Sequence, residues 1–305
     1  MIEFLLTLAI LAGINVLLAS GFNLILGYGG LVSVAHPVFY ALGAYVSALL
    51  SMHLGLPVPL AILCGAIFAA IASFGLSLPS LRVSGDYLVI ASLGFQLGIV
   101  HIINNLEITG AASGLSNITS VIEGPYRSWI YAGVVILVAA LAILAIRWLV
   151  SGPYGRAITA MRNDEEALAG IGRNAINIKV TLFALGSGLA GLAGGLYAHY
   201  FLFLTPDQFG IFASAALLTM VVVGGAATVR GPILGAILLT LLPEAIRFLN
   251  LPVAALGALQ GVFFTGLVIF FLFTRPEGLF GGKTTGGLQA WRGSTAARPP
   301  AKEAK

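Results

Sequence analysis

The sequence predicts an all-α fold: a polytopic bundle of about nine transmembrane helices (eight to ten), interrupted by one long polar loop. Three observations carry this. Hydrophobic residues make up 59% of the 305 and charged residues only 9%, against about 25% charged in an ordinary soluble domain. Residues 4–81 contain no Asp, Glu, Lys or Arg. One ionised side chain at a bilayer centre costs about 3 kcal/mol or more, so a stretch of this kind suits lipid. Thirdly, the only long polar segment inside the apolar chain is residues 151–179, SGPYGRAITAMRNDEEALAGIGRNAINIK. A transmembrane β-barrel would instead alternate in segments of about ten residues, and none are visible.

The first apolar run follows MIEF with no Lys or Arg before it and no clear cleavage site after it, so it is expected to be a retained span rather than a signal peptide. A span needs about 20 apolar residues. That criterion places spans near 4–26, 34–52, 58–79, 86–104, 129–148, 180–202, 211–229, 231–249 and 254–273. Gly27-Tyr28-Gly29-Gly30 and His36-Pro37 form either a loop or a break within one longer discontinuous helix. Pro57 and Pro59 mark the turn before the third span, where a missing N–H does least harm. Lone Cys64 sits in an apolar run, which excludes a disulfide framework and a cysteine metal site.

Lys and Arg orient the bundle. Of 15 basic residues, five lie between Arg147 and Lys179 and six between Arg275 and Lys305. Both regions are expected in the cytosol, and the four spans between them agree. Arg82 and Arg230 then lie inside, and Arg127 and Arg247 outside. The longest external loop runs from Glu107 to Ser128. Residues 281–305, poor in apolar groups and rich in Gly, Pro, Ala and charge, are expected to be a disordered cytosolic tail. A weak internal repeat is visible too: Gly29-Gly30 precedes Pro37 by the interval at which Gly224-Gly225 precedes Pro232, and transporters are often built from duplicated halves.

In the polar loop, Asn163 or Asp164 can cap a helix whose first turn holds Asp164, Glu165 and Glu166, where carboxylates suit the positive helix end. Gly170 and Gly172 would end it. Tyr154–Arg162 can form a second short turn exposing Ile158 and Met161 among Arg156 and Arg162. The physical reading stops at one or two short amphipathic helices, which could equally be a connector lying on lipid headgroups.

At this point the sequence is recognisable. GRAITAMRNDEEALAGIGRNAINIKVTLFALGSGLAGLAGGLYA resembles the ATPase-coupling region of branched-chain amino acid ABC importer permeases. The resemblance runs from about Phe22 to Gly281. It takes in Gly27-Tyr28-Gly29-Gly30-Leu31, Gly43-Ala44-Tyr45, Leu81-Arg82-Val83-Ser84-Gly85-Asp86-Tyr87, Asn104-Asn105, the run GGAATVRGP from Gly224 to Pro232, and Arg275-Pro276-Glu277-Gly278-Leu279. It is closer to the larger permease type, which is usually paired with a shorter homologous permease. Departures are Leu168-Ala169-Gly170, where Ala-Glu-Ala is expected, and Arg173, where an apolar residue is usual.

The resemblance implies a transport subunit that is not itself an enzyme. Its loop would be a cytosolic coupling helix, docked in a groove of an ATPase whose closure on ATP tilts the spans. The coupling residues it implies are Arg156, Arg162, Asp164, Glu165, Glu166, Ala167 and Gly172. Residues 1–280 would form the permease domain, in a bacterial inner membrane with the C-terminus cytosolic. Partners would be a second homologous permease, two cytosolic ABC ATPases and a periplasmic or lipid-anchored solute-binding protein, with no nucleic acid. No cofactor is expected on this chain; ATP and magnesium belong to the ATPases. The outward loops, including Glu107, Glu123 and Arg127, would be the landing surface for the binding protein.

Ser187, Gly191 and Gly195, at i, i+4 and i+8, give a small-residue face for close helix packing, within this chain or against the partner permease. Polar residues within spans are pathway candidates by default: Asn23, His36 and Gln96, together with Asn15, His101 and the Glu244/Arg247 pair. Each can equally be a satisfied interhelical hydrogen bond. Two motifs mislead. Gly278–Thr284 is one residue too short for a phosphate-binding loop and lacks the flanking strand and helix. Ser187 with His199 suggests an intramembrane protease only if His199 is an oriented base. The competing class is an ATP-independent secondary transporter or channel, which would want an ionisable relay at mid-membrane, and buried carboxylates are scarce.

Overall fold

The computed structural model describes residues 2–80, 86–120, 122, 124–247 and scattered positions between 262 and 279. The spans follow from apolar runs that leave the backbone no partner but itself in lipid. α1 (Ile2–Asn23) continues into one π-helical turn, Leu24–Tyr28. Then come α2 (His36–His53), α3 (Val58–Ala72), α4 (Phe74–Ser80), α5 (Asp86–Asn105) and α6 (Arg127–Ser151). Two short helices, α7 (Pro153–Asn163) and α8 (Glu165–Gly170), precede α9 (Ala175–Phe201), α10 (Ile211–Gly224) and α11 (Gly231–Arg247). The two-residue strands β1 (Leu115–Ser116) and β2 (Phe203–Leu204) pair antiparallel, Leu115 opposite Leu204.

Among the described residues, six helices are long and apolar enough to cross a membrane: 2–28, 58–77, 87–105, 127–151, 175–201 and 206–224. The expectation of about nine spans is therefore supported only in its architecture. The stretches 34–52 and 231–249 are helices α2 and α11, but neither belongs to the six; α11 is a shorter apolar helix. Most of the expected span 254–273 and the whole tail 281–305 lie outside the described residues, as do Arg82, Glu123 and the Arg275–Glu277 part of the C-terminal motif.

α9 is the axis around which α2 and α3 pack most extensively. The approach is close because glycines face one another. A Cβ on Gly43 would run into the Gly191 backbone, one on Gly65 would lie 2.6 Å from the Gly43 carbonyl oxygen, and one on Gly191 2.6 Å from Ala69 Cβ. Gly195 faces Ile62 at 3.0 Å. The small-residue face of α9 is thus occupied by this chain's own helices. α1 packs along α6, α9 and α11, burying Ile10, Ile14, Leu17 and Phe22.

The two ends of the bundle differ. At one, His199 pins the 106–126 loop: one ring nitrogen meets Ser47 Oγ at 2.9 Å and the other the Thr119 carbonyl oxygen at 2.7 Å. His199 is thereby engaged away from Ser187, whose hydroxyl has no partner. At the same end Arg127 donates to the Tyr200 carbonyl oxygen at 2.6 Å and lies over the Tyr200 ring, while Glu107 is exposed. The opposite end carries α7, α8 and the α10–α11 connection.

The two glycine-pair breaks have related forms. After Tyr28 the chain leaves α1, and Pro37 is the second residue of α2; after Gly224 it leaves α10, and Pro232 is the second residue of α11.

Candidate functional site

The polar loop folds as two short helices because its apolar residues recur on one face. Gly155 permits the sharp turn out of α6, since a Cβ there would strike the Val150 carbonyl. Ile158, Met161 and Leu168 are 1%, 4% and 2% exposed, and they pack with Leu24 of the π-turn, Ile146 of α6, and Ala175, Ile178 and Leu182 of α9. This corrects the expectation that Ile158 and Met161 are exposed. The bundle itself covers the apolar face, so the loop is not a connector whose greasy side is left for headgroups.

The charged residues divide into two groups. Asp164 caps α8, its Oδ1 accepting from the Ala167 N–H at 2.9 Å. Glu165 pairs with the buried Lys179 ammonium at 2.7 Å. Arg162 turns inward and donates from Nη1 to the Gly27 carbonyl oxygen at 2.7 Å. Burial pushes its guanidinium pKa down from the ordinary value, yet an arginine side chain keeps its charge in a protein. Arg156, Glu166, Ala167 and Arg173 are exposed and face outward. Gly172 adopts φ +75° directly after α8. Beside it Ile171 projects, 74% exposed. Glu165, Ala169, Gly172, Arg173, Asn174, Ala175 and Ile176 line an open cleft of about 430 Å³. The outward face therefore offers an apolar knob, small residues and both signs of charge.

The three pathway candidates do not converge. Asn23 is engaged on both sides of its amide, donating to the Thr228 carbonyl oxygen and accepting from the Ala227 N–H, each at 2.9 Å. Gln96 donates to the Phe209 carbonyl oxygen at 3.2 Å and to Ser214 Oγ at 2.7 Å. His36 is buried between Phe22 and Phe39, and neither ring nitrogen has a partner at hydrogen-bond geometry. Of the others, Asn15 donates to Thr240 Oγ1 at 2.9 Å, His101 is exposed, and the Arg247 side chain lies outside the described residues.

Sequence reasoning missed the link between Arg162 and Gly27 and that between Asn23 and the 227–228 loop. One signal was available. Gly27 stands four residues after Asn23 on the same helix face, and a Cβ there would strike Asn23 Oδ1 and come within 2.5 Å of the Ala227 nitrogen.

Comparison with known proteins matches this arrangement to one family. The family model described as branched-chain amino acid transport system / permease component matches residues 4–272. The high-affinity branched-chain amino acid transport system permease protein LivM of Escherichia coli (strain K12) is 33% identical over 301 residues, covering 89% of this chain and 69% of that protein. A probable LivM of Methanocaldococcus jannaschii is 29% identical, covering 72% and 67%. The autoinducer 2 import system permease protein LsrC of Yersinia pseudotuberculosis is 30% identical over 139 residues, covering 43% and 39%. No solved structure matches. With the family model spanning most of the bundle and its polar loop, the chain belongs to the family of branched-chain amino acid transport system permease components.

Proposed function

We propose that this membrane permease is the larger membrane subunit of an ATP-driven importer that moves branched-chain amino acids across a bacterial inner membrane. The observation that carries the reading is the family match over residues 4–272, joined to a LivM relative that covers 89% of this chain. The bundle performs no chemistry in this reading. It alternates between inward-open and outward-open packings, and partners shift that balance only through different affinities for the two. The partners are a second homologous permease, two cytosolic ABC ATPases that hold ATP and magnesium, and a soluble or lipid-anchored binding protein on the far side. The face formed by Arg156, Glu166, Ala167 and Arg173, with Ile171 at its tip, supports docking of an ATPase. Residues 151–179 and the tail 281–305 are then cytosolic.

The test is uptake into proteoliposomes containing the co-purified subunits, with binding protein outside and ATP inside. Radiolabelled leucine, isoleucine and valine should accumulate only with hydrolysable ATP. A panel including urea and short amides checks the solute class, because a relative matched over part of its length is named for autoinducer 2 import. Uptake by this chain alone in ATP-free vesicles would replace the importer with a secondary transporter or channel.

A further inference from the structure

We propose that Arg162 is a positioning residue: it ties the polar loop to the π-turn of α1 and, through Gly27 and Asn23, to the α10–α11 connection, so that movement of the loop reaches two helix breaks together. This rests on the importer reading above, in which the loop is where force enters.

The geometry begins at the end of α1. The helix is α-helical to Asn23 and then loosens by one residue per turn, with the Gly29 N–H reaching the Leu24 carbonyl oxygen at 3.1 Å; a wider bond from the Leu31 N–H to the Ile25 carbonyl oxygen at 3.1 Å closes its end. A single π-turn of this kind is a rare irregularity, frequently found at functional sites. The chain leaves the helix after Tyr28, so the Gly27 carbonyl has no helical donor; Arg162 supplies one at 2.7 Å. A cation there also suits the negative end of a long helix. The arginine stem lies against Gly30, whose φ of +67° turns the chain back toward α2; the site of a Gly30 Cβ would be 3.0 Å from Arg162 Cγ.

Gly27 joins the two connections. Its carbonyl accepts from Arg162, while its missing side chain leaves room for the Asn23 amide and the Ala227 backbone. Asn23 holds the 227–228 segment at two points. That segment is tied to itself by Thr228, whose Oγ1 donates to the Gly225 carbonyl oxygen at 2.8 Å and accepts from the Gly231 N–H at 3.0 Å. It holds Ala227 at φ +59°, a conformation that non-glycine residues seldom adopt. The Leu279 N–H meets the Val223 carbonyl oxygen at 2.9 Å on the same side. The loop is thereby connected to the ends of α1 and α10 and the start of α11 by directional bonds, whereas the apolar cluster beneath α7 could slide. Hydrogen-bond networks of this kind are one means by which coupling passes between distant parts.

The experiment compares Arg162→Ala, Arg162→Gln and Arg162→Lys with Asn23→Ser in the assembled transporter. It measures retention of the ATPase subunits, melting temperature, ATP hydrolysis and solute moved per ATP. Arg162→Ala, Arg162→Gln and Asn23→Ser should keep the ATPases and hydrolyse ATP, while solute moved per ATP falls about tenfold, the scale of losing one charge-assisted hydrogen bond. Arg162→Lys, able to place one donor on Gly27, should recover part of the loss. The proposal is overturned if Arg162→Ala transports with the wild-type ratio, or if it releases the ATPases at unchanged melting temperature, which would make Arg162 a docking residue. If Arg162→Ala does not assemble, Asn23→Ser, which leaves the loop untouched, decides: a wild-type ratio overturns the link. A wild-type assembly that shows no ATP-dependent uptake refutes the importer reading itself, an outcome separate from these.

Discussion

Lys179 Nζ donates to Glu165 Oε2 at 2.7 Å, joining the first turn of α8 to the first turns of α9 across the Gly170–Asn174 bend. The lysine side chain is 8% exposed and the glutamate 48%, so the pair is unevenly solvated. Removing the carboxylate strands a buried ammonium, whereas removing the lysine leaves a carboxylate that water can solvate. Glu165→Gln should therefore destabilise the loop more than Lys179→Met. The double variant should recover about 1 kcal/mol relative to the sum of the single ones, a value kept small by the exposed side of the pair. Thermal unfolding of the detergent-purified protein measures this cycle, and additive single effects would mean that the contact contributes nothing.

Asp164 and Glu166, two residues apart, should separate in phenotype. Asp164 closes an orphan N–H at the start of α8, and loss of such a cap costs about 0.5–2 kcal/mol. Asp164→Ala should raise protease sensitivity between α7 and α9, and Asp164→Ser should restore resistance. Glu166 is exposed, and Glu166→Ala should leave protease sensitivity unchanged while weakening ATPase retention at low salt. A combined reversal of all three loop carboxylates would confuse these effects, because two of the three hold the loop itself together.

The apolar architecture was legible because charge-free runs and basic clusters are one-dimensional signals. Where the helices break was legible only in part: Gly27 to Gly30 and Gly224 to Gly231 are rich in glycine, yet the apolar run 211–229 hid that α10 ends at Gly224 and α11 begins at Gly231. The direction of side chains was not. Arg156 and Arg162 lie six residues apart in one amphipathic helix, yet one faces outward and the other reaches Gly27, 135 positions away. The burial of Ile158 and Met161 was hidden for the same reason, since periodicity defines an apolar face but not whether lipid, a partner or the chain's own bundle covers it. Asn23 and Gln96 were visible as polar residues in spans, while their partners are mostly backbone groups of distant loops, which carry no side-chain signature.

Glycine substitutions should sort by what each position faces. Gly43 and Gly191 meet backbone to backbone, and neither side can move without shifting a whole helix. Gly43→Ala or Gly191→Ala should lower the melting temperature by many degrees or abolish a monodisperse peak in size-exclusion chromatography. Gly94 and Gly98 of α5 have nothing within 4 Å of a new Cβ. Alanine at either should leave the isolated subunit as stable as wild type, or slightly more so, because glycine disfavours a helix by about 1 kcal/mol. Equal sensitivity at all four positions would mean that a helix packs on the open face of α5.

Gln96 should prove to be a brace. Its amide donates to the Phe209 carbonyl oxygen and to Ser214, and the Ser214 hydroxyl in turn donates to the Val34 carbonyl oxygen at 2.8 Å. The Val34 N–H is taken by Ser92 Oγ at 3.0 Å. The irregular segment 29–35, which lacks the backbone bonds of a helix in an apolar interior, is thus held at Val34 by α5 and α10. Interhelical hydrogen bonds in membranes are worth about 0.6–2 kcal/mol each. Gln96→Met should accordingly lower stability by about 1–2 kcal/mol and leave the KM for uptake unchanged, since both donors of the amide are engaged within the bundle. A tenfold rise in KM at unchanged melting temperature would place Gln96 on the transport path instead, and would require the Ser214 bond to open in another packing of the bundle.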